Sequence, residues 1–107
     1  MSEPPARILV ADDEVYIREG LKEALELPGY AVETVPDGDA VRDRLRQAHF
    51  DLVILDLRMP GSSGMDLLEH VGLQYPDTQA ILLTAHGNVS TAVEAMKKGA
   101  HDFLTKP

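Results

Sequence analysis

Cysteine and tryptophan are absent from the sequence, aromatics are scarce at 5%, and no apolar run exceeds strand length. Without cysteine there are no disulfides and no thiolate chemistry, either as metal ligand or as nucleophile. Met1 to Pro5 carries Glu3 and two prolines where a signal peptide would have a basic region and a long apolar stretch. The expectation is a cytoplasmic chain with neither signal peptide nor membrane span, and a flexible segment over residues 1–5. Basic residues are also few, 10 against 18 acidic ones, giving a net charge of −8. Nucleic-acid binders present a basic stripe to the phosphate backbone, so this composition argues against direct binding to DNA or RNA.

What is present is an ordinary globular composition, 44% hydrophobic and 26% charged over 107 residues. That fits one domain over residues 1–107. A chain of this size buries roughly two-thirds of its unfolded surface, enough for a single core.

Strand-length apolar runs alternate with helix-period stretches in a βαβα pattern. Ile8-Leu9-Val10-Ala11 reads as a first strand, followed by a helical stripe of Ile17, Leu21, Ala24 and Leu25 that Pro28-Gly29 stops. Ala31 to Val35 gives a second strand, and Val41, Leu45 and Ala48 stripe a second helix behind Asp37-Gly38. Leu52-Val53-Ile54-Leu55 is the third strand, leading through the turn-rich Met59-Pro60-Gly61-Ser62-Ser63-Gly64 to a helix with Leu67, Leu68 and Val71. Ser63 and Asp66 have the spacing of a capping box. Ala80 to Thr84 forms a fourth strand, Val89, Ala92, Val93 and Met96 a fourth helical stripe, Gly99 its C-terminal cap, and Phe103-Leu104 a fifth strand.

The first, third and fourth strands are apolar throughout, as strands covered on both faces should be, whereas the second and fifth are mixed. This places the mixed strands at the edges and predicts a flavodoxin-like, doubly wound parallel sheet of order 2-1-3-4-5. In such sheets ligands bind beyond the strand C-termini, where the order reverses between strands one and three.

The residues at those ends are Asp12 and Asp13, Asp56, Thr84 and Lys106. Three converging carboxylates raise one another's pKa and call for a shared proton or a bound cation. An all-oxygen cluster suits Mg2+, which keeps waters and adds phosphate oxygens readily. Flavin or nucleotide binding wants Gly, Ser or Thr after strand one, and Asp12-Asp13-Glu14 repels phosphate instead. No G-x-G-x-x-G or Walker pattern occurs. Any one of these residues alone has a plain structural reading: a helix N-cap for Asp12 or Asp13, a strand-end polar residue for Asp56, an edge charge for Lys106. Their weight lies in the constellation.

Asp12-Asp13, Leu55-Asp56, Met59-Pro60-Gly61, Thr84-Ala85 and Lys106-Pro107 together resemble the receiver domains of two-component response regulators, over nearly the whole chain. The resemblance implies that Asp56 is the phosphoacceptor. It implies that Asp13 and Asp56 ligate Mg2+ with the backbone carbonyl of Arg58, that Asp12 helps hold the cation, and that Thr84 and Lys106 contact the phosphoryl oxygens. The implied donor is a phosphohistidine on a sensor histidine kinase, with the receiver catalysing its own phosphorylation and dephosphorylation without being a conventional enzyme. Once phosphorylated, Thr84 would move toward the phosphoryl group and Phe103 inward, reshaping the helix-four and strand-five face that controls an output domain. The stretch from Thr84-Ala85-His86-Gly87 to Lys97-Lys98-Gly99-Ala100 is similar to receivers of the NtrC-like class, which implies a sigma-54-type transcription activator as output; a phosphorylation-dependent homodimer is left open. Most relatives have a cis Lys-Pro peptide at the position of Lys106-Pro107. They also continue into a fifth helix beside the first, so a chain ending at Pro107 is expected to leave one face of strands one and three partly uncovered.

Two other functions compete. A haloacid-dehalogenase-type phosphatase also uses a strand-end Asp, Mg2+, Thr or Ser, and Lys, but needs an acid two residues after the nucleophile, where Arg58 stands. A vestigial, non-phosphorylated interaction module would keep the fold and act through the helix-four face alone. The scattered His49, His70, His86 and His101 lack ligand spacing, Met65 and Met96 sit at core spacing, and Lys97-Lys98 reads as a solvated helix end.

Overall fold

The computed structural model describes residues 4–61, 63–85 and 89–106. Strand and helix alternate as β1 (Arg7–Ala11), α1 (Val15–Glu26), β2 (Ala31–Val35), α2 (Gly38–Gln47), β3 (Leu52–Asp56), α3 (Gly64–Gln74), β4 (Gln79–Thr84), α4 (Val89–Lys97) and β5 (Asp102–Thr105). All four neighbouring strand pairs are parallel, and the sheet order is β2-β1-β3-β4-β5. The two mixed strands are the edges.

Because side chains alternate across a strand, the sheet divides its apolar residues between two faces. Leu9, Ala11, Val53, Leu55, Ala80 and Leu82 point to one side, where α2, α3 and α4 cover them with Val41, Leu45, Leu67, Leu68, Val71 and Ala95. Ile8, Val10, Val32, Ile54 and Leu83 point to the other, against half-buried Ile17, Leu21 and Leu25 of α1. Three helices thus seal one face and one helix covers the other. On that thinner side an apolar groove of about 220 Å³ opens between Tyr16, Ile17, Gly20 and Leu21 of α1 and Leu83 of β4. The groove opens beside β4, and not over strands one and three where partial uncovering was expected: Ile8 and Val10 of β1 and Ile54 of β3 are buried.

Local signals end the helices as anticipated. Asp37 Oδ1 accepts the Ala40 N–H at 2.8 Å at the start of α2, and Ser63 Oγ accepts the Asp66 N–H at 3.2 Å at the start of α3, one arm of a capping box. At the end of α4, Gly99 takes φ 104°, and bonds from Gly99 N–H to Met96 O (3.2 Å) and Ala100 N–H to Ala95 O (3.0 Å) form a Schellman motif.

The fourth helical stripe is a correction. Val89, Val93 and Met96 are 81%, 47% and 50% exposed, and the residue of α4 that enters the core is Ala95. A small side chain lets the helix lie close to the sheet, so the larger apolar residues face outward. Met65, by contrast, packs against the core as expected, while Ala24 of the α1 stripe is exposed. Lys98 is tied to α3 by an ion pair with Glu69 at 2.7 Å, not merely solvated. Among the described residues no helix is long and apolar enough to cross a membrane.

Candidate functional site

Strand register builds the site. Ala11 pairs with Leu55, so Asp12, the next residue, stands level with Asp56. Asp56 pairs with Leu83, which puts Thr84 one step beyond it, and Thr84 pairs with Thr105, so Lys106 follows at the same edge. Each chain leaves the sheet on a polar residue, and the four converge because the strands are parallel and nearly flush.

The convergence is tight. Carboxylate oxygens of Asp12, Asp13 and Asp56 lie within 4.8 Å of one another. Lys106 Nζ lies 2.9 Å from Asp12 Oδ2 and 3.5 Å from Asp56 Oδ2. Asp12 is fully buried, Asp56 is 5% exposed and Thr84 1%. Asp13 is exposed and lines, with Asp56, Arg58, Thr84, Ala85 and Lys106, an open cavity of about 160 Å³.

Backbone contacts hold these groups in place. Glu14 N–H donates to Asp12 Oδ1 at 2.9 Å and Arg18 Nη1 to the Asp12 carbonyl at 2.8 Å, so α1 fixes the end of β1. Leu57 N–H donates to Leu83 O (3.1 Å), and Lys106 N–H to Thr84 O (2.7 Å), tying the β3 and β5 ends to β4. Gly64 closes the loop after β3: a Cβ there would stand 2.2 Å from the Asp56 carbonyl oxygen.

Electrostatics follow from this crowding. Burial, and then the neighbouring Asp12 charge, push the Asp56 carboxyl up to about 6, against Lys106 and an N–H from the Arg58 backbone that favour the carboxylate. Burial opposes the charge on Lys106, but the hydrogen bond to Glu14, the close Asp12 carboxylate and the Asp56 charge outweigh it and hold the ammonium above the ordinary lysine range.

The donor set fits a hard divalent cation. It is all oxygen, it carries an excess of negative charge over the single Lys106 ammonium, and Asp12 Oδ2 is buried with no aligned hydrogen-bond donor. A divalent cation would offset the remaining charge.

All the residues singled out in the sequence, Asp12, Asp13, Asp56, Arg58, Thr84 and Lys106, meet at this one place. The described histidines do not join them. His49 is exposed beside Asp51, His70 stacks edge-on against Tyr75 with its pKa lowered by burial and by Arg42 and Arg46, and His101 is exposed. His86 and the Lys106-Pro107 peptide lie outside the described residues. Phe103 is half-buried and packs on the α3 side of the sheet. Sequence reading missed Glu14, whose Oε2 lies 2.8 Å from Lys106 Nζ, and Gly64. The available signals were a third acid continuing Asp12-Asp13 and a glycine at the first position of a capped helix.

A family model described as response regulator receiver domain matches residues 8–107. The C4-dicarboxylate transport transcriptional regulatory protein DctD of Pseudomonas aeruginosa is 40% identical over 101 residues, covering 94% of this chain and 22% of DctD. This chain thus spans less than a quarter of that relative. A response regulator from Burkholderia pseudomallei, solved with a phosphorylated aspartic acid, a calcium ion and citrate, superposes with TM-score 0.89 at 31% identity, covering 95% of this chain and 60% of that one. The beryllofluoride-activated NtrC4 receiver domain, solved as a dimer in solution, gives TM-score 0.89 at 38% identity, covering 94% and 84%.

Proposed function

The chain belongs to the response regulator receiver family, and from that membership we propose that it is a phosphoryl-accepting signalling switch in which Asp56 is the acceptor. Receiver domains are signalling switches, not conventional enzymes. The observation that carries the reading is the meeting of Asp56, Asp12, Asp13 and Lys106 at one cavity beyond the strand ends.

Asp56 attacks phosphorus through a carboxylate oxygen, so it must be ionised. Lys106 and the Arg58 N–H favour that form, while burial and Asp12 resist it. Asp12, Asp13 and Asp56, with the Arg58 carbonyl, are the groups to hold Mg2+. When bound, the ion keeps Asp56 ionised and offsets charge on the phosphoryl oxygens. Lys106 supplies a second positive charge and the Thr84 hydroxyl a neutral donor for those oxygens. Phosphoryl transfer asks mainly for positioning and electrostatics, so this small set suffices.

The donor is a phosphohistidine on a sensor histidine kinase, and hydrolysis of the acyl phosphate resets the switch in the cytoplasm. Movement of Thr84 and Phe103 then biases the α4–β5 face between two states that an output domain reads. Exposed Val89, Val93 and Met96 of α4 are apolar enough to serve such a contact. Similarity to DctD and to the NtrC4 receiver supports a transcription activator of the NtrC-like, sigma-54-type class as output, and a dimer on phosphorylation. A vestigial module gains no support from relatives of which one carries a phosphorylated aspartic acid.

The test is chemical trapping. After incubation with acetyl phosphate and Mg2+, borohydride converts an aspartyl phosphate to homoserine, which peptide mass mapping locates. Homoserine at position 56 supports the reading, and its absence from a folded, Mg2+-loaded protein, or its appearance elsewhere, overturns it.

A further inference from the structure

We propose that Glu14 is a positioning residue that competes with the phosphoryl group for Lys106, and so sets how readily Asp56 is loaded. The inference rests on Asp56 being the acceptor. Lys106 Nζ lies 2.8 Å from Glu14 Oε2 and 2.9 Å from Asp12 Oδ2, but 3.5 Å from Asp56 Oδ2. The ammonium therefore lies closer to two acids other than the one that reacts, and its hydrogen bond goes to Glu14.

The two acids differ in how firmly they hold it. Asp12 is buried and anchored, its Oδ1 accepting the Glu14 N–H and its carbonyl the Arg18 guanidinium. The Glu14 side chain is 60% exposed, while that of Lys106 is 7% exposed. Glu14 thus lies over a buried ammonium from the solvent side, at the rim of the cavity where a phosphoryl group enters.

In the transfer, an Asp56 carboxylate oxygen forms a bond to phosphorus as the phosphorus bond to the donor's leaving group breaks, and the leaving group departs with the electron pair. Lys106 moves no proton; it turns a donor toward a phosphoryl oxygen. The contact free to yield is the one with Glu14, whose exposed carboxylate returns to water, whereas Asp12 is buried and anchored at the start of α1. Glu14 favours the unloaded arrangement, and its removal shifts the balance toward the loaded one. The pair is exposed on one side, so the effect is modest, about two- to fivefold.

The test uses beryllofluoride, a phosphoryl analogue, with Mg2+ present, its affinity read from amide NMR shifts. Glu14→Gln is expected to bind it about two- to fivefold more tightly than the wild type, and to accept phosphoryl from acetyl phosphate faster by a similar factor. Introduced into Lys106→Met, the same change is expected to have almost no effect, because the competition it relieves is gone. Unchanged or weaker binding in Glu14→Gln overturns the inference. So does an equal gain in the Lys106→Met background, which would mark a general charge effect. If the wild type itself takes up no beryllofluoride, the acceptor reading fails and this inference with it.

Discussion

Asp56 is held in a protonation state that works against the fold. Its pKa of about 6 exceeds the unfolded value of about 3.9. Between about pH 4 and 6 the folded chain therefore binds more protons than the unfolded one, and stability falls as pH rises through that window. Above it the ionised carboxylate costs up to about 3 kcal/mol. In metal-free buffer at pH 7.5, Asp56→Asn should unfold at a higher temperature than the wild type, with the gap closing as pH falls to about 4. A lower melting temperature at pH 7.5 would contradict this. Gly64→Ala acts on the same residue through the backbone. Its methyl group would strike the Asp56 carbonyl at 2.2 Å, and because main chain cannot swing aside, the loop must shift. A loss of about 1–3 kcal/mol in urea unfolding is expected, together with slower phosphoryl acceptance.

At the scale of the element, α4 shows how side-chain size and face decide what a helix contributes. Met96→Ser on the exposed side should change stability by no more than about 0.5 kcal/mol, whereas Ala95→Leu should cost about 1–3 kcal/mol by overfilling the core, as read from denaturant midpoints. Gly99→Ala meets no atom, so its cost comes from φ 104° alone, about 1–2 kcal/mol. Strands were the most legible elements. Runs such as Ile8-Leu9-Val10-Ala11 are apolar on both faces, and that separates central from edge strands without any knowledge of partners. The α4 stripe misled because Val89, Val93 and Met96 repeat at core spacing on a face that no neighbour covers among the described residues, and periodicity cannot say which of two apolar faces is inside. The carboxylates were legible because parallel strands deliver their C-termini to one edge. Glu14 and Gly64 were not, since their roles depend on distances across the site: one on where Lys106 reaches, the other on how closely α3 approaches β3.

For the molecule as a whole, the site and the fold are coupled through charge. A net charge of −8 includes three carboxylates crowded at one edge of the sheet, and Lys106 alone does not neutralise them. A cation that binds only the folded chain stabilises it by mass action, about 2.7 kcal/mol at a hundred times its dissociation constant. Melting temperature should therefore climb with Mg2+ concentration, and most of the gain should vanish in Asp13→Asn, whose exposed position spares the core. The same melting point with and without Mg2+ would count against a cation site.

The central claim is that these strand ends form a cation-dependent phosphoryl-accepting centre. It is tested most directly by the intact mass of the protein after exposure to acetyl phosphate, with and without Mg2+, beside Asp56→Asn. One added phosphoryl group that requires both Mg2+ and Asp56 is the predicted result. An unmodified mass on folded protein, with hydrolysis shown to be too slow to hide the adduct, or a phosphoryl group that persists in Asp56→Asn, would contradict it.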